Sequence, residues 1–347
     1  MDTHLRERVV EVLPRIREEA ARTEAERRIP TEVLAALMEA GAFTLDPDQD
    51  PTARAAQLLD TVRLVAAACG STGWVTAHAG AMSWVLDLFP AETREKLRGT
   101  PGADPLLAFS PELAGRLVEA DGQLLLEGRW AAVTGAGYAS FLVLACRRPD
   151  AGEPGPAGLA LVRAEDCRFE DAVDSVGLTA SGATDVVVTG APVADVWTEI
   201  SVDRAATLAP LGAAAAMALV GAAQGALDVH LAQIRHRVER SHGGEDVTAR
   251  DLSPARVARA ASQLDAADLV LREQLAAEPD PEAVGRDPFE EQLYAVDRAV
   301  ESAGLVFASV RGHALDNNDP VARFWRDVRV GGHHARALIG RLRVLGA

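Results

Sequence analysis

Apolar residues recur at helical spacing along the first hundred residues of the chain. Residues 9–16 mark one side of a first helix, and Pro30 opens a second helix that Gly41 ends. An alanine-rich segment, 53–69, keeps the same spacing, and residues 73–88 follow with another helical run. The pattern predicts an N-terminal lobe built from helices.

The pattern changes near Pro105, where short runs of strand type begin to alternate with turn signals. These runs cover residues 116–120, 124–130, 141–146, 158–162, 185–189 and 193–197. Residues 148–158 are rich in proline, glycine and acidic side chains, which indicates a loop. We expect a β-barrel or a small sandwich in this part of the chain.

Long helical segments return after Val202 and continue to the end of the chain. They cover residues 204–238, 253–278, 288–314 and a terminal helix, with a polar insert at 241–251. Segments of this length and spacing are typical of a four-helix bundle. We therefore predict an α+β fold with an N-terminal helical domain (1–104), a β domain (105–200) and a C-terminal helical bundle (201–347).

The charge balance excludes several classes of partner. The formal net charge is −16, and no cluster of Lys or Arg is present, so nucleic acid and anionic membrane surfaces are poor partners. The three cysteines are widely spaced, which is typical of reduced thiols in a cytoplasmic protein. The N-terminus has no apolar core of a signal peptide.

Residues 205–227 carry no charge and are long enough to cross a bilayer, but they are mostly alanine and glycine. Small residues favour close helix packing, so we expect a buried helix and no membrane span. His230, His236 and His242 do not share a helix face, so no metal site is predicted.

Candidate chemistry lies near the C-terminus. Asp327 and His334 are seven residues apart and share one face of the predicted helix. A histidine near an Arg-Asp pair is suited to moving a proton in a fixed orientation. The alternative is a terminal helix with an ordinary charged face.

Four segments together resemble a known family. They are Arg28-Ile29-Pro30, the stretch from Ala68 to Val75 (ACGSTGWV), Leu126 to Trp130 followed by Thr134-Gly135, and Phe324 to Asp327 followed by His334. In this order, and with these lobes, the chain resembles the acyl-CoA dehydrogenase fold. It is most similar to the two-component flavin-dependent monooxygenases that share the fold.

The resemblance implies roles for several residues at a flavin. Thr134, before Gly135, is expected near flavin N5, and Trp130 beside the ring, with a turn threonine and a β-core tryptophan as the alternatives. Ser110 is expected to contact flavin or substrate, with a turn serine as the alternative. Arg237 is expected at a flavin phosphate, with Arg235 as its competitor and an ordinary surface arginine as the alternative.

The same resemblance implies roles in catalysis. His334 is expected over the flavin, with His333 as its competitor, and Asp327 is expected to orient His334. His78 lies four residues after Trp74 on one helix face and is expected to reach the substrate, while a structural histidine is the alternative.

The distribution of carboxylates discriminates between two reactions on this fold. Acyl-CoA dehydrogenases need a carboxylate base, which the family places in the terminal segment or in the first bundle helix. No Asp or Glu occurs after Asp327, and none occurs in residues 205–227. This favours oxygen chemistry.

We therefore expect a cytoplasmic homotetramer that takes reduced FMN or FAD from a separate NAD(P)H:flavin reductase. It would hydroxylate a small aromatic or polycyclic substrate through a flavin C4a-hydroperoxide, in catabolism or natural-product biosynthesis. A short loop after Phe43 and an aromatic content of only 4% keep two alternatives open. These are an N-hydroxylase of an amine or amino sugar and a flavin-free member of the fold.

Overall fold

The computed structural model describes residues 3–43, 49–98, 106–120, 122–148, 155–172, 174–193, 195–198, 202–240, 254–276, 287–310 and 316–345. The polar insert 241–251 with His242, and most of the loop 148–158, lie outside the described residues. The predicted order of helices, strands and helices is observed.

Six helices form the N-terminal part. They are α1 (Thr3–Ala25), α2 (Thr31–Glu39), α3 (Pro51–Ala68), α4 (Gly70–Gly80), α5 (Met82–Leu86) and α6 (Ala91–Arg98). The start of α3 is fixed by Asp50, whose side chain accepts from the Ala53 N–H at 2.9 Å, with Pro51 in the first turn. Helix α4 follows α3 after a single extended residue, Cys69, so the two helices cross with a sharp change of direction.

Seven strands follow in the middle of the chain. They are β1 (Leu107–Ala120), β2 (Gln123–Val133), β3 (Phe141–Arg147), β4 (Ala157–Arg163), β5 (Arg168–Ala172), β6 (Thr184–Pro192) and β7 (Asp195–Thr198). They form a single mixed sheet in the order β5-β6-β2-β1-β3-β4-β7. The described strands therefore make one sheet with β5 and β7 at its two ends, in the part of the chain where the sequence predicted a β-barrel or a small sandwich.

The long strand β1 joins the two halves of this sheet. It pairs antiparallel with β2 from Gly115 to Ala120, and parallel with β3 from Leu107 to Ser110. The register shifts between Ser110 and Gly115, beside Pro111, because proline donates no hydrogen bond to the ladder.

Strand β3 is buried on both faces. Leu142, Leu144 and Cys146 belong to the core of the β domain, while Val143 and Ala145 belong to the core shared with the helices. This alternation follows from the two-residue period of a strand. Its sequence, FLVLACR, is accordingly apolar at nearly every position.

Four long helices complete the chain. They are α7 (Val202–Arg240), α8 (Pro254–Ala276), α9 (Pro288–Phe307) and α10 (Pro320–Leu345). Helix α7 packs against the other three, and α9 packs against α8 and α10, which confirms the four-helix bundle. Helix α9 ends at Phe307 and not near residue 314 as predicted, and Ser309 closes its last turn by donating to the Leu305 carbonyl.

Helix α7 is the centre of the bundle. Its segment Leu208–Glu239 is the single candidate membrane span among the described residues, and 94% of its most apolar window is buried inside the protein. The expectation of a buried helix is therefore correct. Helices α3, α9 and α10 of the same chain cover it.

Candidate functional site

Two cavities lie where the β domain meets α4 and α10. The larger has about 330 Å³ of empty space, part of it open to solvent. Its walls include Trp74, Thr134, Leu178, Val330 and His334, with two serines from the loop between β5 and β6. No Asp, Glu, Lys or Arg is among the described residues of this lining. The cavity therefore suits a neutral ligand, since a buried charge needs a partner.

The smaller cavity has about 220 Å³ of empty space, and its walls include His78, Leu107, Gly135 and Tyr138. Thr134 lines both cavities. Its hydroxyl accepts from the indole N–H of Trp74 across 3.4 Å, and Trp74 is itself buried. The Thr134 hydroxyl thus lies at the junction of two binding spaces.

Gly135 turns the chain directly after Thr134. Its φ is +76°, in the left-handed region that favours glycine, and its N–H donates to the Ser181 carbonyl at 3.0 Å. The turn leads into a short 3₁₀ segment, Ala136–Tyr138. Gly135 thereby joins the end of β2 to the β5–β6 loop at the cavities.

His78 is held by its own helix. Its Nδ1 lies 2.9 Å from the Trp74 carbonyl oxygen, and a carbonyl only accepts, so Nδ1 carries the proton. Burial, with a smaller contribution from His334, lowers the pKa of His78 to about 4, against the effect of the hydrogen bond to Trp74. His78 is therefore neutral at pH 7 with Nε2 unprotonated, and its side chain lines the smaller cavity.

The two terminal histidines have different places. His334 is half-buried in the wall of the larger cavity, whereas the His333 side chain is exposed. Burial lowers the pKa of His334, and the neighbouring His333 and Arg341 lower it further. A neutral His334 at pH 7 is a proton acceptor that faces the ligand space.

Asp327 does not orient His334, which corrects the sequence prediction. Its Oδ1 accepts from the Leu178 N–H at 2.6 Å, and a Cβ placed on Gly70 would lie 2.4 Å from its Oδ2. The carboxyl group therefore faces the β5–β6 loop and the start of α4. Burial raises the pKa of Asp327 to about 7, against the effect of the Leu178 hydrogen bond.

Trp130 also lies elsewhere than predicted. It is fully buried in the β-domain core, and its indole N–H donates to the carbonyls of Glu112 and Ala145. A Cβ on Gly115 or Gly128 would lie 2.2 or 2.7 Å from its ring. The Gly-x-Trp pattern is thus explained by packing, because the glycines make room for the indole, and no face of Trp130 is free for a flavin.

Ser110 is buried in β1 and lines neither described cavity. Its hydroxyl accepts from the Glu112 N–H at 3.4 Å, across the bend at Pro111. The local role as a turn serine accounts for it, so the structure does not bring Ser110 to the site.

Arg237 lies near the end of α7, where Arg235 is exposed and Arg237 is half-buried. The Nη2 atom of Arg237 is buried and has no hydrogen-bond partner among the described residues. A buried guanidinium nitrogen without a partner is suited to an anionic ligand.

Tyr138 was not found by sequence reasoning, yet it lines the smaller cavity. Its hydroxyl accepts from the Ile29 N–H and donates to the Ala180 carbonyl, both at 2.9 Å. Ile29 and Ala180 are far from Tyr138 in sequence, so no local pattern marks this bridge. The β5–β6 loop was missed for the same reason, whereas Trp74 lies in the ACGSTGWV segment but was not predicted as a site residue.

The family model described as acyl-CoA dehydrogenase, C-terminal domain, matches residues 213–337, which cover most of the bundle. The flavin-dependent monooxygenase oxygenase subunit HsaA of Rhodococcus jostii (strain RHA1) is 33% identical over 95% of this chain and 93% of its own length. This chain belongs to the flavin-dependent monooxygenases of the acyl-CoA dehydrogenase fold.

A solved structure supports the same assignment. The crystal structure of 3-HSA hydroxylase from Rhodococcus sp. RHA1 has a TM-score of 0.86 at 31% identity, with 99% of this chain and 95% of that chain covered. The oxygenase component of a FADH(2)-dependent resorcinol hydroxylase from Rhizobium sp. (strain MTP-10005) is 29% identical over 94% of this chain and 89% of its own length. This monooxygenase is thus an enzyme of the oxidoreductase class, as predicted.

Proposed function

We propose that this monooxygenase is the oxygenase component of a two-component hydroxylase that acts on a small, uncharged aromatic or polycyclic substrate. A separate NAD(P)H:flavin reductase would supply the reduced flavin. The names "oxygenase subunit" and "oxygenase component" of two relatives support the partner. We further propose a cytoplasmic homotetramer, for which the exposed apolar Leu269 on α8 is a candidate contact.

The observation that carries the proposal is the larger cavity, with Thr134 and His334 in its walls and no charged side chain among its described lining residues. A phenol or a polycyclic ring is neutral and fits such a wall. An amine is charged at neutral pH and would need a carboxylate. The lining therefore favours the aromatic substrate over the amine of an N-hydroxylase.

The residues near the cavities fit a flavin. The Thr134 hydroxyl is available to the polar edge of the isoalloxazine ring, and Gly135 adds no side chain beside it. Arg237 lines neither described cavity, and its unpartnered Nη2 would hold the flavin phosphate. Reduced flavin, when bound, supplies the electrons for dioxygen activation.

The protein's own groups would manage the proton of the substrate. His334, neutral because burial lowers its pKa, would accept the proton of a substrate hydroxyl. His78 would accept a hydrogen bond at Nε2 and hold the substrate in place. The apolar walls would exclude water from the reacting atoms.

An anaerobic titration with reduced FMN and with reduced FAD tests the proposal, followed by mixing with oxygen and a panel of substrates. We expect one flavin to bind tightly, with FAD favoured by the name of the resorcinol hydroxylase. Neutral phenols should be hydroxylated, and amino sugars should not. Failure to bind either flavin would refute the proposal and support the flavin-free alternative.

A further inference from the structure

Two strained residues lie in the wall of the larger cavity. Among the described residues, three that are not glycine have a positive φ: Arg27 (51°), Ala132 (49°) and Leu178 (49°). Arg27 follows α1, but Ala132 and Leu178 both line the larger cavity. The left-handed conformation costs free energy for any residue other than glycine, so it persists only where the surroundings impose it.

In both cases an aspartate holds the strained residue. The Ala132 N–H donates to Asp185 Oδ1 at 2.8 Å, and the Leu178 N–H donates to Asp327 Oδ1 at 2.6 Å. Asp185 is fixed in turn by Arg129, whose Nη2 donates to its Oδ2 at 2.7 Å. Bonds from N–H to carboxylate are among the stronger hydrogen bonds, so each can hold an unfavourable backbone.

The position of Ala132 gives its strain a consequence for the site. The register between β2 and β6 shifts between Trp130 and Val133, so Ala132 lies within a bulge. Bulges redirect the side chains that follow them. Thr134 comes two residues after Ala132, and its hydroxyl lies at the junction of the two cavities.

Leu178, the second strained residue of the cavity wall, lies in the loop between β5 and β6. Ser175, Gly177 and Ser181 of this loop line the larger cavity together with it. Gly177 lies so close to α10 that a Cβ on it would be 2.3 Å from the Arg326 carbonyl oxygen. The Asp327–Leu178 bond therefore fixes the loop against α10, the helix that carries His334.

We propose that Asp185 and Asp327 are a pair of positioning residues for the monooxygenase site. Asp185 holds the bulge that directs Thr134, and Asp327 holds the loop that lines the larger cavity together with Thr134 and His334. Neither carboxylate contacts the ligand. The expected effect on flavin rests on the proposed function. The two hydrogen bonds, which we call the clamps, are Asp185–Ala132 and Asp327–Leu178, and they can be tested in the protein without flavin.

The test for Asp185 uses relief of strain. Asp185→Ala should weaken flavin binding about tenfold and raise the share of consumed oxygen that ends as hydrogen peroxide. Glycine adopts φ near +49° without strain, so the double variant Asp185→Ala/Ala132→Gly should recover most of both losses. Asp166→Ala is the matched control, because Asp166 pairs with Arg163 on the surface at 3.0 Å and should leave both readouts unchanged.

The test for Asp327 uses a conservative variant. Asparagine keeps an oxygen acceptor for the Leu178 N–H, so Asp327→Asn should retain flavin affinity and coupling, whereas Asp327→Ala should lose both. Equal loss in both variants, with folding intact by circular dichroism, would point to proton transfer by Asp327 and overturn its positioning role.

Hydrogen exchange of the protein without flavin separates this proposal from the proposed function. Amides of residues 131–135 should exchange at least tenfold faster in Asp185→Ala, and those of 175–181 in Asp327→Ala, whether or not the wild-type protein binds flavin. Unchanged exchange in the single variants would refute the clamps. Failure of Ala132→Gly to rescue Asp185→Ala would also refute the positioning role of Asp185.

Discussion

Single residues at this site owe their roles to partners that are distant in sequence. Trp130 and Thr134 are four positions apart on one strand end, yet Trp130 fills the β core and Thr134 lines the cavities. The difference comes from the bulge between them, which changes the side of the strand that each residue faces.

The two terminal histidines allow a matched test of the proton acceptor. Because His334 faces the larger cavity, His334→Gln should lower kcat by on the order of 10²-fold. The affinity for flavin should stay unchanged. The lowered pKa of His334 places the acid limb of the wild-type rate profile below pH 6.5, and the variant should lack that limb. His333→Gln, on the exposed neighbour, should stay within about twofold of wild type in steady-state assays. Similar losses in both variants would contradict the assignment.

The only two tyrosines of the chain offer a second matched pair. Tyr138→Phe removes the hydroxyl that joins Ile29 to Ala180 and leaves the Ile29 N–H without that acceptor. We expect a loss of about 1–3 kcal/mol in the free energy of unfolding, measured with urea. Tyr294→Phe, at a side chain that is 44% exposed, should change it by less than about 0.5 kcal/mol. A Tyr138→Phe protein as stable as wild type would show that the bridge contributes nothing.

At the scale of elements, the β5–β6 loop and α10 behave as one unit. The Leu178 N–H bonds Asp327, Gly177 touches the Arg326 carbonyl, and Arg326 pairs with Glu24 of α1. The loop therefore has its shape imposed by a helix that begins more than a hundred residues later in the chain.

Alanine substitutions at two glycines contrast a closely packed position with an open one. Gly177→Ala should destabilise the protein by about 1–3 kcal/mol, because its Cβ would meet the backbone of α10 at 2.3 Å. Gly340→Ala, on the exposed side of α10 with nothing within 4 Å, should stabilise it by up to about 1 kcal/mol. Thermal melts of both variants measure the contrast, and the same sign of change in both would contradict the packing argument.

The sequence predicted the elements better than the contacts between them. Helical and strand periods identified both helical regions and six of the seven strands, because they record burial within one element. The role expected for Asp327 was wrong, since its partner Leu178 is 149 residues away. The left-handed backbone conformations of Ala132 and Leu178 could not be predicted either, because neither alanine nor leucine favours a positive φ.

At the scale of the whole molecule, two buried groups give opposite dependences of stability on pH. The pKa of His78 is lowered to about 4, so the unfolded chain binds this proton more readily, and stability falls as the pH drops from 6.5 towards 4. The pKa of Asp327 is raised to about 7, so the folded protein binds that proton, and stability rises as the pH drops from 7 towards 4. The two effects offset each other over a shared window.

Asp327→Asn removes one side of this balance. Relative to wild type, the variant should lose stability as the pH falls from 7 to 4, with a slope of up to about 1.4 kcal/mol per pH unit. Urea unfolding at a series of pH values measures the difference. Parallel curves for the two proteins would mean that Asp327 titrates alike in the folded and unfolded states.

Strand β3 gives two separate cores a common wall, with Leu142 and Leu144 on one side and Val143 and Ala145 on the other. An excised β domain would present Val143 and Ala145, together with Leu159 and Leu161 of β4, as an uncovered apolar stripe. Such a fragment would aggregate, and a chimera that exchanged this domain between relatives would need to match the stripe to its new helices. The β domain and the helices that cover it therefore have to be exchanged together, as one chain.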